Sequence, residues 1–270
     1  MRQKAPQRGF TLVELVMVIV IMGVIGGIVA VFMKSPIDAY FDSARRAALT
    51  DVADTTVRRM ARDIRKALPN SILNPNNQCL EFIPTKTGGR YRADVDASGN
   101  GDFLDFTTED GSFYMLGTNS PLTDQAIVAG DLVVVYNLGI PGADAYAGNN
   151  TSTVSAVGAG TLTNETKITL TVPKQFPLPS GSNRFHVIPN GENVVAYVCT
   201  DGNLRRTARA LAGASCPATG TILATNVASC NFVYNGSDLQ RNALVQLSIT
   251  FTDSGESVSL YHEVHVNNTP

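Results

Sequence analysis

The sequence is poor in the residues on which most enzyme and metal sites depend. Three of its 270 residues are histidine and four are cysteine, with no Cys-x-x-Cys pair, which argues against zinc or thioredoxin-like chemistry. His262 and His265 lie three apart in a predicted strand and so face opposite ways, and His262-Glu263-Val264-His265 is not an H-E-x-x-H zinc helix. The chain also lacks a P-loop, a dinucleotide fingerprint and a G-x-S-x-G elbow. We therefore expect that the protein is not an enzyme, with no catalytic residue and no certain cofactor.

Charge is scarce as well. Charged residues make up 16% of the chain and hydrophobic residues 44%, and the formal net charge is -2. This composition excludes a disordered protein and is sufficient for a buried core. Because the chain has no strongly basic balance, we expect no nucleic-acid partner.

Hydrophobic residues are concentrated near the N-terminus, where residues 10–33 read FTLVELVMVIVIMGVIGGIVAVFM with Glu14 as the only charge. At a rise of ~1.5 Å per residue, a helix of this length spans about 36 Å, enough to cross a bilayer core. The basic residues that precede the run place residues 1–9 in the cytoplasm and the remainder outside. The sequence thus predicts a single-pass membrane protein.

Two simpler explanations of this run each leave something unexplained. A cleaved signal peptide has an apolar region of only ~7–15 residues and a small-residue cleavage site, which is missing here. A plain anchor leaves Glu14 unexplained, since a carboxylate costs roughly 2.5–3.5 kcal/mol at mid-bilayer. A Glu14 that stays hydrated near the interface is the remaining simple alternative.

The residues around Glu14 form a motif, Arg8-Gly9-Phe10-Thr11-Leu12-Val13-Glu14-Leu15. In this motif the chain resembles the prepilins of type IV pili and the pseudopilins of type II secretion. The resemblance implies cleavage between Gly9 and Phe10 by a prepilin peptidase/methyltransferase, followed by N-methylation of Phe10. It also implies that Glu14 makes a subunit contact, by pairing with the N-terminal amine of a neighbouring subunit.

One position departs from the pattern of major pilins, which commonly carry proline where this chain has Val31. Flexibility is expected instead from Gly23, Gly26 and Gly27, each costing a helix interior up to ~1 kcal/mol relative to alanine, and from Pro36. This departure favours a minor pilin or a pseudopilin over a fibre-forming subunit.

Beyond the apolar run, apolar residues recur at helical spacing as far as Leu68. We therefore predict a membrane-spanning helix over residues 10–33, an amphipathic periplasmic helix over 34–68 and a globular β-rich domain over 69–270. The basic run from Arg58 to Lys66 is interpreted as a solvated helix face or, alternatively, as a contact for acidic surfaces of neighbouring subunits.

Alternating apolar residues and turn residues predict strands after residue 69. The predicted strands are 80–83, 131–136, 167–172, 185–188, 194–199, 228–234, 244–252 and 257–266, whereas residues 137–166 are predicted to form a long exposed loop. The last two strands are the clearest, and Thr252-Asp253-Ser254-Gly255-Glu256 supplies their turn. The expected fold is α+β, a pilin-like long N-terminal helix packed on an antiparallel sheet.

The four cysteines predict two structural disulfides in an oxidising compartment. Three pairings are possible. We favour Cys199 with Cys216, because they bracket a polar loop after a strand, which leaves Cys79 to pair with Cys230.

A narrower resemblance rests on Ser35-Pro36 with Tyr40, Ala44-Arg45-Arg46-Ala47, the run Arg58-Arg59-Met60-Ala61-Arg62-Asp63-Ile64-Arg65 and Ala67-Leu68-Pro69-Asn70-Ser71. These segments are similar to MshO-type minor pilins of the mannose-sensitive haemagglutinin (MSHA) pilus, which are themselves similar to J-type pseudopilins. The likeness implies priming of pilus assembly at the inner membrane, with a periplasmic C-terminal domain. Other minor and major pilins and the assembly platform would be its partners. A J-type pseudopilin and a pilus-tip adhesin module are the alternatives.

An Asp-rich segment offers a possible Ca²⁺ site. It spaces Asp94, Asp96, Ser98, Asn100, Asp102 and Asp105 around Gly99, close to the ligand spacing of an EF-hand loop. Its last position is Asp rather than Glu and no helix evidently flanks it, so an Asp/Gly-rich polar turn is the alternative.

Overall fold

A computed structural model describes residues 9–213, 215–236 and 242–270. The chain divides into two compact units, Met1–Ala48 and Leu49–Pro270. The predicted leader, residues 1–9, lies outside the described residues except for Gly9.

A single helix, α1 (Leu12–Ile64), contains most of both predicted helical segments, and Pro36 lies inside it. The helix ends four residues earlier than predicted. Its last turn tightens through hydrogen bonds from Lys66 N to Asp63 O and from Ala67 N to Ile64 O. The next amide, that of Leu68, donates to the carbonyl of Ile83 at 2.7 Å. The helix ends because the residues that follow it hydrogen-bond to the segment after β2 instead of continuing the helical pattern.

Strands make up most of the rest of the described chain. In chain order they are β1 (Leu73–Asn76), β2 (Cys79–Phe82), β3 (Thr87–Tyr91), β4 (Asp110–Leu116), β5 (Leu132–Val135), β6 (Thr151–Ala159), β7 (Glu165–Lys174), β8 (Arg184–Ile188), β9 (Val194–Thr200), β10 (Asn203–Arg209), β11 (Thr221–Ala224), β12 (Val227–Asn235), β13 (Asn242–Asp253) and β14 (Glu256–Asn267).

The strands form two open sheets and a closed barrel. One sheet has the order β1-β2-β9-β10-β11, the other the order β12-β13-β14, and the barrel runs β3-β4-β7-β6-β5-β8. Every pairing is antiparallel. Because β2 pairs directly with β9, the barrel is an insertion between two neighbouring strands of the first sheet.

The main core lies between the C-terminal part of α1 and the two open sheets. From the helix it receives a stripe at positions i, i+4, i+8, i+11 and i+15, namely Leu49, Ala53, Val57, Met60 and Ile64, with Ala61 beside it. The sheets contribute buried side chains that include Phe82, Tyr197, Phe232, Leu247 and Phe251. The α+β fold, a long N-terminal helix packed on antiparallel sheets, is thus confirmed.

A second core fills the barrel. Its fully buried members include Phe113, Phe176, Phe185 and Val187, and the Phe113 and Phe185 rings pack edge to face at 5.4 Å. A third, smaller cluster around Leu68, Ile83, Ile188 and Val194 joins the barrel to the first sheet. Barrel and open sheets therefore belong to one packed unit.

The eight predicted strands all coincide with observed strands, and β13 turns into β14 at Ser254 and Gly255 as predicted. The predicted loop over 137–166 is wrong. It contains β6, and before that strand Asn137 is buried and accepts a hydrogen bond from Ala145 N at 2.9 Å while donating to Pro69 O at 2.8 Å. The Gly-, Thr- and Ser-rich composition conceals a strand whose partners come from elsewhere in the barrel.

All four cysteines are in disulfides, but the favoured pairing is wrong. Cys79 is bonded to Cys216, and Cys199 to Cys230, with Cα separations of 6.0 and 6.3 Å. The cause lies in the pairing of β2 with β9, which sends the Cys79 and Cys199 side chains to opposite faces of one sheet. Cys199 belongs to the core beneath α1 with Cys230, whereas Cys79 packs with Ala196 and Cys216 on the other face.

Candidate processing and assembly site

The predicted cleavage junction lies immediately before α1. Gly9 and Phe10 are both exposed and precede the first helical residue, Leu12. A Cβ atom added at Gly9 would have no heavy atom of the described residues within 4 Å. The junction is thus exposed, non-helical backbone next to a helix start, and Arg8 of the motif lies outside the described residues.

Glu14 has a role that the sequence analysis missed. Its Oε2 accepts hydrogen bonds from the backbone N and the Oγ1 of Thr11, each at 3.1 Å, and Thr11 Oγ1 in turn accepts from Glu14 N at 3.3 Å. This reciprocal pair is a capping box with Thr11 as N-cap and Glu14 at the third helical position. The Thr-x-x-Glu spacing before an apolar run was a sufficient sequence signal for it.

The capping box and the proposed subunit contact are compatible. Both of the hydrogen bonds that Glu14 accepts go to Oε2. Phe10 is the residue next to Thr11, so an amine freed there would lie within one helical turn of the same carboxylate. The arrangement fixes the carboxylate at the start of the helix, where a new N-terminus would appear.

The first part of α1 is apolar on every side. All residues from 10 to 33 are exposed, including Phe10, Leu12, Val31 and Phe32, which are 74–85% exposed. By length and composition α1 qualifies to cross a membrane, and nothing within the described residues covers its most apolar window. This N-terminal helix fits a single-pass membrane anchor.

Carboxylates of the Asp-rich segment accept hydrogen bonds from backbone groups of their own segment. Asp96 Oδ1 accepts from the amides of Ser98 and Asn100, both at 2.8 Å, and Asp94 Oδ1 from its neighbour Val95. Asp105 Oδ1 accepts from Thr107 Oγ1 at 2.7 Å and from Thr107 N at 2.6 Å, and these hydrogen bonds hold the pKa values of the Asp96 and Asp105 carboxyls below their usual range.

The later part of the segment is used in the barrel. Asp102 Oδ2 accepts from Ser112 Oγ at 2.6 Å and lies 3.7 Å from Lys167 Nζ. Within the described chain no three His, Cys, Asp or Glu side chains are grouped as metal ligands. In this structure the carboxylates stabilise local turns and barrel contacts, and the calcium site stays a prediction.

The histidines are dispersed among the described residues. His186 lies in β8, where burial and the nearby Arg184 lower its pKa. His262 and His265 lie on β14, at half-buried and exposed positions respectively. Their positions give no shared site.

A comparison with protein families matches residues 4–30 to the prokaryotic N-terminal methylation motif. That span covers the Gly9-Phe10 junction, the capping box and most of the exposed apolar helix. The match supports a type IV pilin-like protein. No curated protein and no solved structure matches the chain.

With a type IV pilin-like N-terminus, the exposed apolar face of α1 has two natural environments. It fits a single-pass membrane anchor and contacts with pilin partners, because both would bury the same side chains. The two disulfides belong to the domain that follows this anchor.

Proposed function

We propose that the chain is a minor pilin of the MshO-like kind, which a prepilin peptidase cuts between Gly9 and Phe10 and methylates at Phe10. The observation that carries the proposal is the N-terminal methylation motif over residues 4–30, placed on an exposed apolar helix that begins with a Thr11–Glu14 capping box. In this role the protein stays in the inner membrane, N-terminus in the cytoplasm and C-terminal domain in the periplasm, until it assembles.

The proposal assigns Glu14 to contacts between subunits. Once the chain is cut, the carboxylate neutralises the amine of a neighbouring Phe10 as the apolar helices bundle, so that neither charge remains unpaired in hydrocarbon. Other minor and major pilins, and the inner-membrane assembly platform, are the partners. The role is one of assembly, and no catalytic function is proposed.

A priming role is favoured over a fibre-forming one. Val31 stands where major pilins commonly have proline, and the domain after the anchor is large, with two open sheets, a barrel and two disulfides. A large domain is harder to repeat along a filament than to place once at its start. A J-type pseudopilin of type II secretion would share every one of these features.

Deletion with complementation tests the proposal. Loss of assembled pili on deletion, restored by the wild-type chain, is expected, and a Gly9→Leu variant should fail to restore them. Because a Cβ atom added at Gly9 meets no heavy atom of the described residues within 4 Å, that failure would report on processing rather than on folding. A Val24→Leu variant, altered at an exposed position of the apolar helix, is the matched control and should restore pili.

Three other outcomes would contradict parts of this account. Intact pili that no longer adhere would indicate a tip adhesin. Intact pili with lost protein secretion would indicate a pseudopilin. Full complementation by Gly9→Leu would contradict processing at this junction.

A further inference from the structure

A groove of about 570 Å³ lies between the C-terminal part of α1 and the last strand, β14. Its helix wall includes Arg58, Arg62 and Arg65, and its strand wall Leu260, Tyr261 and His262. All six residues belong to the unit Leu49–Pro270. The groove therefore joins a row of arginines to the edge of a sheet.

The arginine wall carries positive charge that side chains of the described residues neutralise only in part. Arg58 and Arg62 lie four residues apart on α1, and Arg65 follows directly after the helix with its N–H still bonded to Ala61 O at 3.1 Å, so the three arginines share one face. Arg58 pairs with Asp54, its Nε lying 2.7 and 2.8 Å from the two carboxylate oxygens. The guanidinium groups of Arg62 and Arg65 are exposed and have no ion pair with any side chain of the described residues. The groove thus presents two free cations to a ligand.

The strand wall is the open edge of the three-stranded sheet, in which β14 pairs with β13 alone. The two strands are joined by a two-residue turn in which Ser254 and Gly255 have φ values of 50° and 90°. In such a turn the flanking pair, Asp253 and Glu256, is hydrogen-bonded, and hydrogen-bonded pairs then alternate along the ladder.

This alternation determines which backbone groups point outward. Ser257, Ser259, Tyr261 and Glu263 occupy the non-hydrogen-bonded pairs, so their N–H and C=O groups are directed away from β13. Side-chain hydrogen bonds of 2.9 Å between the hydroxyls of Thr252 and Ser257 and between those of Thr250 and Ser259 agree with the closer approach of such pairs. The outer edge of β14 offers a regular ladder of free donors and acceptors.

The edge lacks the features that usually protect sheet edges. The register with β13 runs over twelve pairs without a bulge, and β14 contains neither proline nor lysine. Between residues 257 and 267 its only carboxylate, Glu263, accepts a hydrogen bond from the Tyr261 hydroxyl. A long, regular edge of this kind is a template for an added strand.

We propose that this groove docks an extended, acidic segment of a partner protein, which adds to β14 as a fourth strand. The backbone of the segment would pair with Ser257 to Glu263, and its carboxylates would meet Arg62 and Arg65. A second copy of this chain fits less well, because edge-to-edge pairing of two β14 strands would bring two arginine rows together. The inference does not depend on N-terminal processing.

Site-specific photo-cross-linking in the cells that make the full chain tests the proposal. Tyr261→p-benzoylphenylalanine places the probe on the edge, and Val172→p-benzoylphenylalanine places it on the barrel, where Val172 is 66% exposed. We expect Tyr261 to give an adduct whose cross-linked peptide is an acidic segment of one partner protein, and Val172 to give none with that protein.

Two pairs of variants distinguish the contribution of backbone pairing with β14 from that of the arginine charges. Ser259→Pro removes an outward N–H, which an edge position tolerates, and should abolish the Tyr261 adduct, whereas Ser259→Ala keeps the N–H and should retain it. Arg62→Glu with Arg65→Glu should also abolish the adduct. Arg90→Glu, an exposed arginine of β3 in the barrel, should retain it. Unchanged disulfide connectivity and thermal midpoint establish that each variant is folded.

Several results would overturn the proposal. These are an adduct with lipid, an adduct with a second copy of the chain, a cross-linked segment without acidic residues, no adduct above that at Val172, and adduct formation unaffected by Ser259→Pro in the folded protein. Failed cleavage at Gly9-Phe10 with an intact Tyr261 adduct would remove the proposed function and leave the docking groove.

Discussion

Asp63, near the C-terminal end of α1, is held by two side chains from the sheet beneath it. Its Oδ2 accepts from the Tyr197 hydroxyl at 2.7 Å and from Arg206 Nε at 3.1 Å. Arg206 also donates from its two terminal nitrogens to the Glu192 carboxylate at 3.0 and 2.9 Å. Burial, more than the nearby Asp63, raises the pKa of Tyr197, so this hydroxyl remains a donor at any ordinary pH. The network ties the helix end to β9 and β10.

Replacing Arg206 should destabilise the fold in a pH-dependent way. We expect Arg206→Gln to lower the free energy of unfolding at pH 7 by about 1.5–3 kcal/mol, since it removes hydrogen bonds between charged groups. The hydrogen bond from Arg206 lowers the pKa of Glu192 from its ordinary 4.5, so the stabilisation is present above that pH. It is lost as pH falls through the lowered folded-state pKa.

Denaturation of the full chain in detergent between pH 3 and pH 7 measures the effect. The difference in the free energy of unfolding between wild type and Arg206→Gln should become smaller below about pH 4.5. Arg90→Gln, at an exposed barrel position, is the control and should behave as wild type throughout. A gap that stays constant or widens at low pH would contradict the role given to Glu192.

The disulfides make a second prediction at the level of single residues. Peptide mapping without reduction should recover Cys79 linked to Cys216 and Cys199 linked to Cys230. Recovery of a Cys199–Cys216 peptide would show that the two sheet faces are wrongly assigned.

Because the bridges span 137 and 31 residues, loop-closure entropy gives about 5 and about 4 kcal/mol for the loss of stability on removing each pair. Removal of the Cys79–Cys216 disulfide should therefore lower the free energy of unfolding slightly more than removal of the Cys199–Cys230 disulfide.

At the level of elements, α1 has a buried stripe only after Ala48, where it packs on the sheets. Met60 is fully buried in that stripe, and Val52, two turns earlier, is 43% exposed. We expect Met60→Ala to reduce the free energy of unfolding by about 2–5 kcal/mol and Val52→Ala to change it by less than about 0.5 kcal/mol. Chemical denaturation of both variants provides the measurement, and equal effects would argue against the packing of this helix face.

The strands that the sequence predicted most clearly are those with clear apolar alternation. In β13, Val245, Leu247, Ile249 and Phe251 are all fully buried on one face, as their spacing predicted. By contrast β6, TSTVSAVGA, and β3, TGGRY, have little apolar periodicity and were missed. They are strands because long-range barrel partners supply their hydrogen bonds, a constraint that a local window does not contain.

A glycine of β3 shows the same constraint at one position. A Cβ atom at Gly88 would lie 2.7 Å from the Phe185 carbonyl of the neighbouring strand. The two backbones approach too closely for any side chain, so the glycine that weakens the sequence signal is what allows the barrel to close. The predicted disulfide pairing was wrong for a related reason. The observed pairing depends on the register of β2 with β9 rather than on how close the cysteines are in the chain.

For the whole molecule, sequence and structure agree best at the N-terminus. The motif, the exposed apolar helix and the start of α1 are local features that depend on few distant contacts. The proposed cleavage at Gly9-Phe10, by contrast, would take place on the chain in its membrane, and so would the proposed pairing of Glu14 with a neighbouring amine. That pairing depends on which residue begins the mature protein.

Mass analysis of the N-terminus of the protein purified from its own membranes tests this central claim most directly. The account predicts a chain that begins at Phe10 and carries one additional methyl group on its amine. A chain that still begins at Met1, or one cut near residue 30, would contradict it.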